Sequence, residues 1–257
     1  MTDGKIYGID SEPAFRNRAG DVPRGREQEE RLLPSVQLQQ AQFDCAHTQR
    51  YVYLPTNPAD GFVDEDKYEI GCCSVPGAYI SYHSAMEFYG LQNQVWHRIY
   101  LSSAGRFRPF EFEFVEYMHA PDKYREGIVQ PAENGNVRVT DLERTILDCI
   151  DRPDLAGGLE ELVYNIDLME SVDGDRLLHY LPLYGKAVMY RKTGFILSLF
   201  KERLGLGGGF FLTCERKAGG GVRYLTDKWE SETYVPRWKL YVPRYILSLT
   251  EDCPYPG

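Results

Sequence analysis

The stretch YISYHSAMEFYGL, residues 79–91, sets His83 between Ser81 and Ser84 in a chain with five histidines. Nucleophilic catalysis would need a serine held by the imidazole, and the imidazole oriented by an acid. Within one helical turn His83 cannot easily position either serine while also facing an acid, and no G-x-S-x-G elbow accompanies it. A helix start accounts for more of the residues. Ser81 is then the N-cap, Ala85, Phe88 and Leu91 supply apolar contacts, Gly90 closes the helix, and His83 sits at the surface or half-buried.

Two other groupings invite a chemical reading. Glu215 and Lys217 form a Glu-x-Lys pair in FFLTCERK (210–217), read as a strand. At a strand end such a pair can belong to a divalent-metal nuclease, which also needs an upstream Asp to share the cation; the nearest candidates, Asp173 and Asp175, precede a whole long helix. The glycine-rich GLGGGFF (205–211) follows a helix in this reading and presents carbonyls, whereas a phosphate cradle needs the N–H groups of a helix start. Six cysteines stand at 45, 72, 73, 149, 214 and 253 without a C-x-x-C pair. Cys149, in a helical pattern, and Cys214, in a strand pattern, read as buried and reduced, and the Cys72–Cys73 pair as packing residues. The residues therefore assign no catalytic group, no metal and no cofactor.

The basic residues are more informative. Residues 136–185 carry 4 Lys or Arg against 11 Asp or Glu, whereas 186–257 carry 12 against 7, in a chain of net charge −9. The overall charge argues against attraction of nucleic acid to the whole surface. Lys201, Arg203, Arg216, Lys217, Arg223, Lys228, Arg237, Lys239 and Arg244 nevertheless cluster, interleaved with Trp229, Tyr234, Trp238 and Tyr241. They read either as a solvated face or as a docking surface for phosphates or an acidic partner.

The elements that must position these residues follow from composition and period. With 43% hydrophobic and 26% charged residues, the 257-residue chain can bury a sizeable core. It contains no apolar run near the roughly 20 residues that span a bilayer and no signal-peptide pattern, so a cytoplasmic location is expected. Residues 1–50 are polar, with one helix near 25–33 ended by Pro34, and read as a weakly ordered or peripheral segment. Strands are expected at 49–55, 98–103, 110–118 and 136–140, the second and third as an antiparallel hairpin. In the third, Phe110, Phe112 and Phe114 face the core while Glu111, Glu113 and Glu116 face solvent. Helices are expected at 140–153, with Thr140 and Glu143 as a capping box, then at 157–170, at 173–184 with a disturbance at Pro182, and at 185–205. Strands at 210–217, 222–226 and 237–243 close the chain. The expected class is α+β, an antiparallel or mixed sheet packed with a cluster of four to five helices and little ordered structure in the first 50 residues.

Three ordered blocks carry a family resemblance. They are GAYISYHSAMEFYGL (77–91), VRVTDLERTILDCIDRPDLAGGLEEL (137–162) and RKTGFILSLFKERLG (191–205). The pattern positions are Tyr79, Ile80, Ser81, Ser84, Ala85, Gly90 and Leu91; Glu143, Thr145, Leu147, Asp148, Pro153, Gly157 and Gly158; and Gly194. Over residues 51–245 the chain resembles the AbiEi family, the antitoxin and transcriptional-regulator half of bacterial type IV toxin–antitoxin systems, a phage-defence setting. The resemblance implies a non-enzymatic protein with an amino-terminal winged helix for operator DNA and a carboxy-terminal domain that opposes a nucleotidyltransferase-like toxin. Residues 1–50 lack the helices of a complete winged helix, so they read as a disordered or degraded module and 51–257 as the antitoxin-type domain.

Overall fold

Residues 38–45, 48–55, 66–92 and 94–249 are described in a computed structural model of the chain. The expected helix near 25–33 lies outside the described residues. The strand expected at 49–55 is present as β2 (Thr48–Pro55). It pairs antiparallel, from Leu38↔Pro55 to Cys45↔Thr48, with β1 (Leu38–Cys45), a segment expected to carry little order. The alternation of Ala41, Phe43 and Cys45 with Gln40, Gln42 and Asp44 is the pattern of a strand, hidden there by polar composition.

A mixed six-stranded sheet runs through the middle of the chain. Its strands are β3 (Tyr79–Ile80), β4 (Arg98–Ser103), β5 (Phe110–Phe112), β6 (Val115–Pro121), β7 (Ile128–Val129) and β8 (Val139–Thr140), in the order β5-β6-β4-β3-β8-β7. The expected hairpin of 98–103 with 110–118 is corrected on two counts. A two-residue turn at Glu113–Phe114 divides the second segment, and β6 lies parallel to β4. The period-two pattern runs unbroken through this turn, so alternation alone could not mark it. Phe110 and Phe112 pack against the core, as expected, but Phe114 sits in the turn and is 81% exposed.

Two helices lie on this sheet. Asp66 caps α1 (Lys67–Ser74) by accepting from Tyr68 N at 2.9 Å, and α2 (His83–Phe88) follows β3. Gly90 ends α2 as expected. Its N–H donates to Glu87 O and that of Leu91 to Met86 O, both at 2.9 Å, which is the Schellman arrangement that favours glycine at positive φ, here +73°.

Five further helices gather beside the sheet: α3 (Leu142–Asp151), α4 (Leu159–Asp167), α5 (Gly174–Tyr180), α6 (Ala187–Ser198) and α7 (Gly208–Lys217). The α+β class with a mixed sheet and a five-helix cluster is as the sequence predicts. After α5 a 3-10 turn at Leu181–Tyr184 accommodates Pro182. The expected strand at 210–217 is α7 instead. Phe210, Phe211 and Cys214 are buried at helical spacing, and the glycines at 207–209 open this helix where they were expected to leave one. A small second sheet of β9 (Arg223–Tyr224), β10 (Thr233–Val235) and β11 (Leu240–Val242) runs in the order β10-β11-β9. The 237–243 stretch is thus a 3-10 turn followed by a short strand.

Two apolar cores result. One joins α3–α7 to the small sheet through residues such as Leu147, Leu162, Leu177, Phe195, Phe211 and Trp238. The other lies between α1 and the six-stranded sheet, around Ile70, Ile80, Ile99, Leu101 and Tyr117.

Candidate interaction face

The residues of the three sequence blocks build the frame. Ser81 is not the cap of α2: Tyr82 precedes that helix without a side-chain cap bond, and Ser81 Oγ lies 2.8 Å from Ser102 Oγ, tying β3 to β4. Ser84 Oγ accepts from Tyr100 N at 2.8 Å and so fixes α2 on β4. Thr140 does not cap α3 either. Asp141 does, accepting from Arg144 N at 2.9 Å, while the hydroxyls of Thr140 and Thr145 are 2.7 Å apart. Glu143 reaches α5, accepting from Asp173 N at 2.9 Å and facing Arg176 at 3.4 Å.

Inside this frame lies a buried ion pair, Arg144 Nε to Asp148 Oδ2 at 2.9 Å, with the Tyr184 hydroxyl donating to Asp148 Oδ1 at 2.6 Å. Burial drives the Asp148 carboxyl upward against the pull of the Arg144 guanidinium. Gly158 is the N-cap of α4, and a Cβ on Gly157 would stand 3.0 Å from Trp96 and from Glu161.

His83 is neither exposed nor half-buried, as had been expected. Its side chain is 1% exposed, its ring tilted by 53° against that of Trp96 with centroids 4.4 Å apart, and Nε2 lies 3.9 Å from Glu161 Oε1. Both ring nitrogens and the Trp96 indole nitrogen lack a hydrogen-bond partner among the described residues. Burial, then the nearby Lys67 ammonium, lowers its pKa to about 4. An unfolded histidine titrates near 6.5, so the native state resists protonation. Its stability contribution is complete above pH 6.5 and is lost as the pH falls from there to 4, at up to about 3 kcal/mol. Melting temperatures measured across that window should fall in the parent chain and fall less in His83→Phe; equal slopes would refute this account.

The basic and aromatic candidates divide between frame and surface. Trp238 is core, 1% exposed and packed on Gly194, so it cannot anchor a partner. Arg237 stacks over Trp238 at 5.3 Å and pairs with Glu215 at 2.6 Å. Arg203 pairs with Asp167 at 3.1 Å, Arg216 donates to Thr213 Oγ1 at 3.2 Å, and Lys217 lies over the Tyr190 ring at 5.4 Å. Arg223, Lys228, Lys239 and Arg244 are exposed and hold no carboxylate partner among the described residues; Trp229 is 80% exposed.

Tyr234, Tyr241 and Tyr224 stand side by side across β10-β11-β9, at centroid spacings of 5.1 and 5.3 Å. Tyr224 was not singled out by sequence; its place in this row depends on a parallel pairing that no local pattern announces. Asp227, Glu230 and Glu232, from the loop before β10, temper the positive charge.

Arg191 is the cation that sequence reasoning missed. Buried in α6, it donates from Nη1 to the carbonyls of Gly221 and Lys239 and from Nη2 to those of Ala218 and Gly219, at 2.6–3.0 Å. It thereby ties α6 to the loop after α7 and to β11. In a helix pattern such an arginine looks like any surface cation.

Glu215 and Lys217 are on a helix, so residues two apart diverge and the strand-end geometry of the nuclease motif is not met. No cluster of three or more His, Cys, Asp or Glu placed to hold a metal occurs among the described residues, and no helix there is long and apolar enough to cross a membrane. Cys72, Cys149 and Cys214 are buried thiols, and Cys73 is partly exposed.

No protein-family model and no curated protein matches the chain. Among solved structures it is similar to the RV2827C protein from Mycobacterium tuberculosis, with a TM-score of 0.53 and 14% identity over 78% of this chain and 75% of that one. A likeness at that identity concerns the fold.

Proposed function

We propose that the chain is an AbiEi-like antitoxin or regulator that acts by binding in the cytoplasm, opposing a nucleotidyltransferase-like toxin through protein–protein contact. The observation that carries this reading is the placement of the family-pattern residues. Ser81, Ser84, Glu143, Thr145 and Asp148 each hold a partner within the frame, which suits a pattern that preserves a scaffold. Co-expression provides the test. The product of the adjacent gene should arrest growth when produced alone and lose that effect when this chain is present. A harmless product, or toxicity unchanged by this chain, would refute the reading.

A second reading is a DNA-binding repressor that uses the basic carboxy-terminal face. It is favoured by four exposed cations, Arg223, Lys228, Lys239 and Arg244, that hold no carboxylate partner among the described residues. Such binding would weaken steeply with salt, because each phosphate contact releases counterions. A gel shift with the chain's own upstream DNA tests it: no retardation at low salt eliminates it.

A further inference from the structure

Asp151, at the carboxyl end of α3, draws cations from two directions. Lys123, in the connection from β6 to β7, meets its Oδ2 at 2.5 Å, and Lys186, just before α6, meets its Oδ1 at 2.8 Å. The carboxylate is 8% exposed and Lys186 56% exposed, so the group opens to solvent on the Lys186 side. Burial raises the Asp151 pKa, but the hydrogen bonds from the two ammonium groups outweigh it and hold the carboxyl below its ordinary range. A third lysine shares this field. Lys192, further along α6, is partly buried and holds neither a hydrogen bond nor an ion pair among the described residues. Burial lowers its pKa, while Asp151 pulls it up and Lys186 pushes it down, so both charges act on it.

The neighbouring carboxylates do not answer this excess. Asp148 is held by Arg144 at 2.9 Å, Asp154 by Arg152 at 2.6 Å and Asp122 by Arg125 at 2.8 Å. Three ammonium groups less the one carboxylate of Asp151 leave two positive charges, in a chain of net charge −9. Cations at a helix carboxyl end are favoured by its dipole, which accounts for Lys123 and Lys186. It does not account for Lys192, kept partly out of water beside a second ammonium and with no partner of its own. That position is unfavourable on both counts unless an anion completes the group.

We propose that Lys123, Lys186 and Lys192 form a site for a terminal phosphate group, with Asp151 holding the first two lysines in place. A phosphate monoester near neutral pH carries a charge of about −1.5 to −2, which matches the two positive charges left over. A carboxylate from an acidic side chain would neutralise only one of them. Each ammonium has several donors, and the single bond to Asp151 leaves others on Lys123 and Lys186 for phosphate oxygens. The site goes beyond both readings above and depends on neither.

Thermal unfolding and calorimetric titration of the whole chain test it. One arm uses inorganic phosphate and pyrophosphate, the other adenosine monophosphate, all at matched ionic strength. The Tm of the parent should rise saturably, by about 3–5 °C in about 10 mM of a phosphate that binds, and chloride should not reproduce the rise. Lys192→Met should weaken binding by roughly 10-fold or more and, without ligand, should melt no earlier than the parent, because it removes an unpaired charge. Lys201→Met, whose ammonium meets Glu202 instead, should bind as the parent does.

Binding in either arm supports the site and identifies the source, free or esterified phosphate. No response in either arm overturns the proposal, as does a response that chloride reproduces or that Lys192→Met retains in full. A Lys192→Met variant that melts earlier would assign this lysine to the fold, and a glutamate-rich peptide that binds where the phosphates do not would make the group a protein contact. Either result overturns the proposal.

Discussion

Gly194→Ala is expected to lower Tm by about 6–12 °C, the equivalent of roughly 3 kcal/mol in a chain of this size. A Cβ built on Gly194 would lie 2.2 Å from Trp238 Cη2 and 2.3 Å from Cζ3, far inside contact distance. Neither side can yield cheaply. The indole is enclosed between α6 and α7, with Phe211 at 6.5 Å, and α6 is itself pinned by the four carbonyl contacts of Arg191. The sign makes the experiment decisive, since alanine inside a helix is favoured over glycine by about 1 kcal/mol. A stabilised variant would mean that propensity outweighs the close approach and that Trp238 has room to move. Thermal unfolding followed by tryptophan fluorescence reads the effect, and Trp238→Leu in the Gly194→Ala background should recover part of the loss.

Asp148→Ala should cost about 3–5 kcal/mol, a large share of the 5–15 kcal/mol that typically separates native from unfolded states. The substitution would leave the Arg144 guanidinium, 1% exposed, without its counter-ion. The carbonyl of Glu126 at 2.7 Å and the face of Tyr124 at 5.0 Å would remain to it. It also removes the acceptor of the Tyr184 hydroxyl. Replacing both charges, as Arg144→Met/Asp148→Leu, should restore most of the stability, because the penalty comes from an unpaired buried charge more than from the loss of an attraction. Urea denaturation of the parent, the single variant and the double variant measures this. A double variant as unstable as the single one would show that the guanidinium's contacts to the Glu126 carbonyl and the Tyr124 ring carry the frame.

The legible parts of this fold were those with local causes. Leu142, Ile146, Leu147 and Ile150 mark α3 by period alone, and its boundary shifted by a single residue because Asp141 and Thr140 are both competent caps. Gly90 was readable as a stop because positive φ is a local demand. What stayed hidden depended on partners distant in sequence. The three glycines before Phe210 resemble a loop until a helix is packed beneath them, and FEFEFVEYM alternates straight through a reversal of the chain. The candidates of the basic cluster could be named from the sequence, yet their division could not: Trp238 went to the core, while Trp229, nine residues earlier, went to solvent. His83 drew attention for its neighbours in sequence, but its environment is made by Trp96 and Glu161, which lie 13 and 78 residues further on.

Helix α2 and the residues that flank it also join the two halves of the interior. Tyr82 and Met86 belong to the core of the helical cluster, Ala85 to the core under the sheet, and Leu91, released by the Schellman turn, returns to the first. A segment shared in this way cannot leave one core without opening the other. Loosening at either end of the molecule is therefore transmitted through His83–Phe88, and the two cores behave as a single cooperative unit in spite of the separate sheets around them.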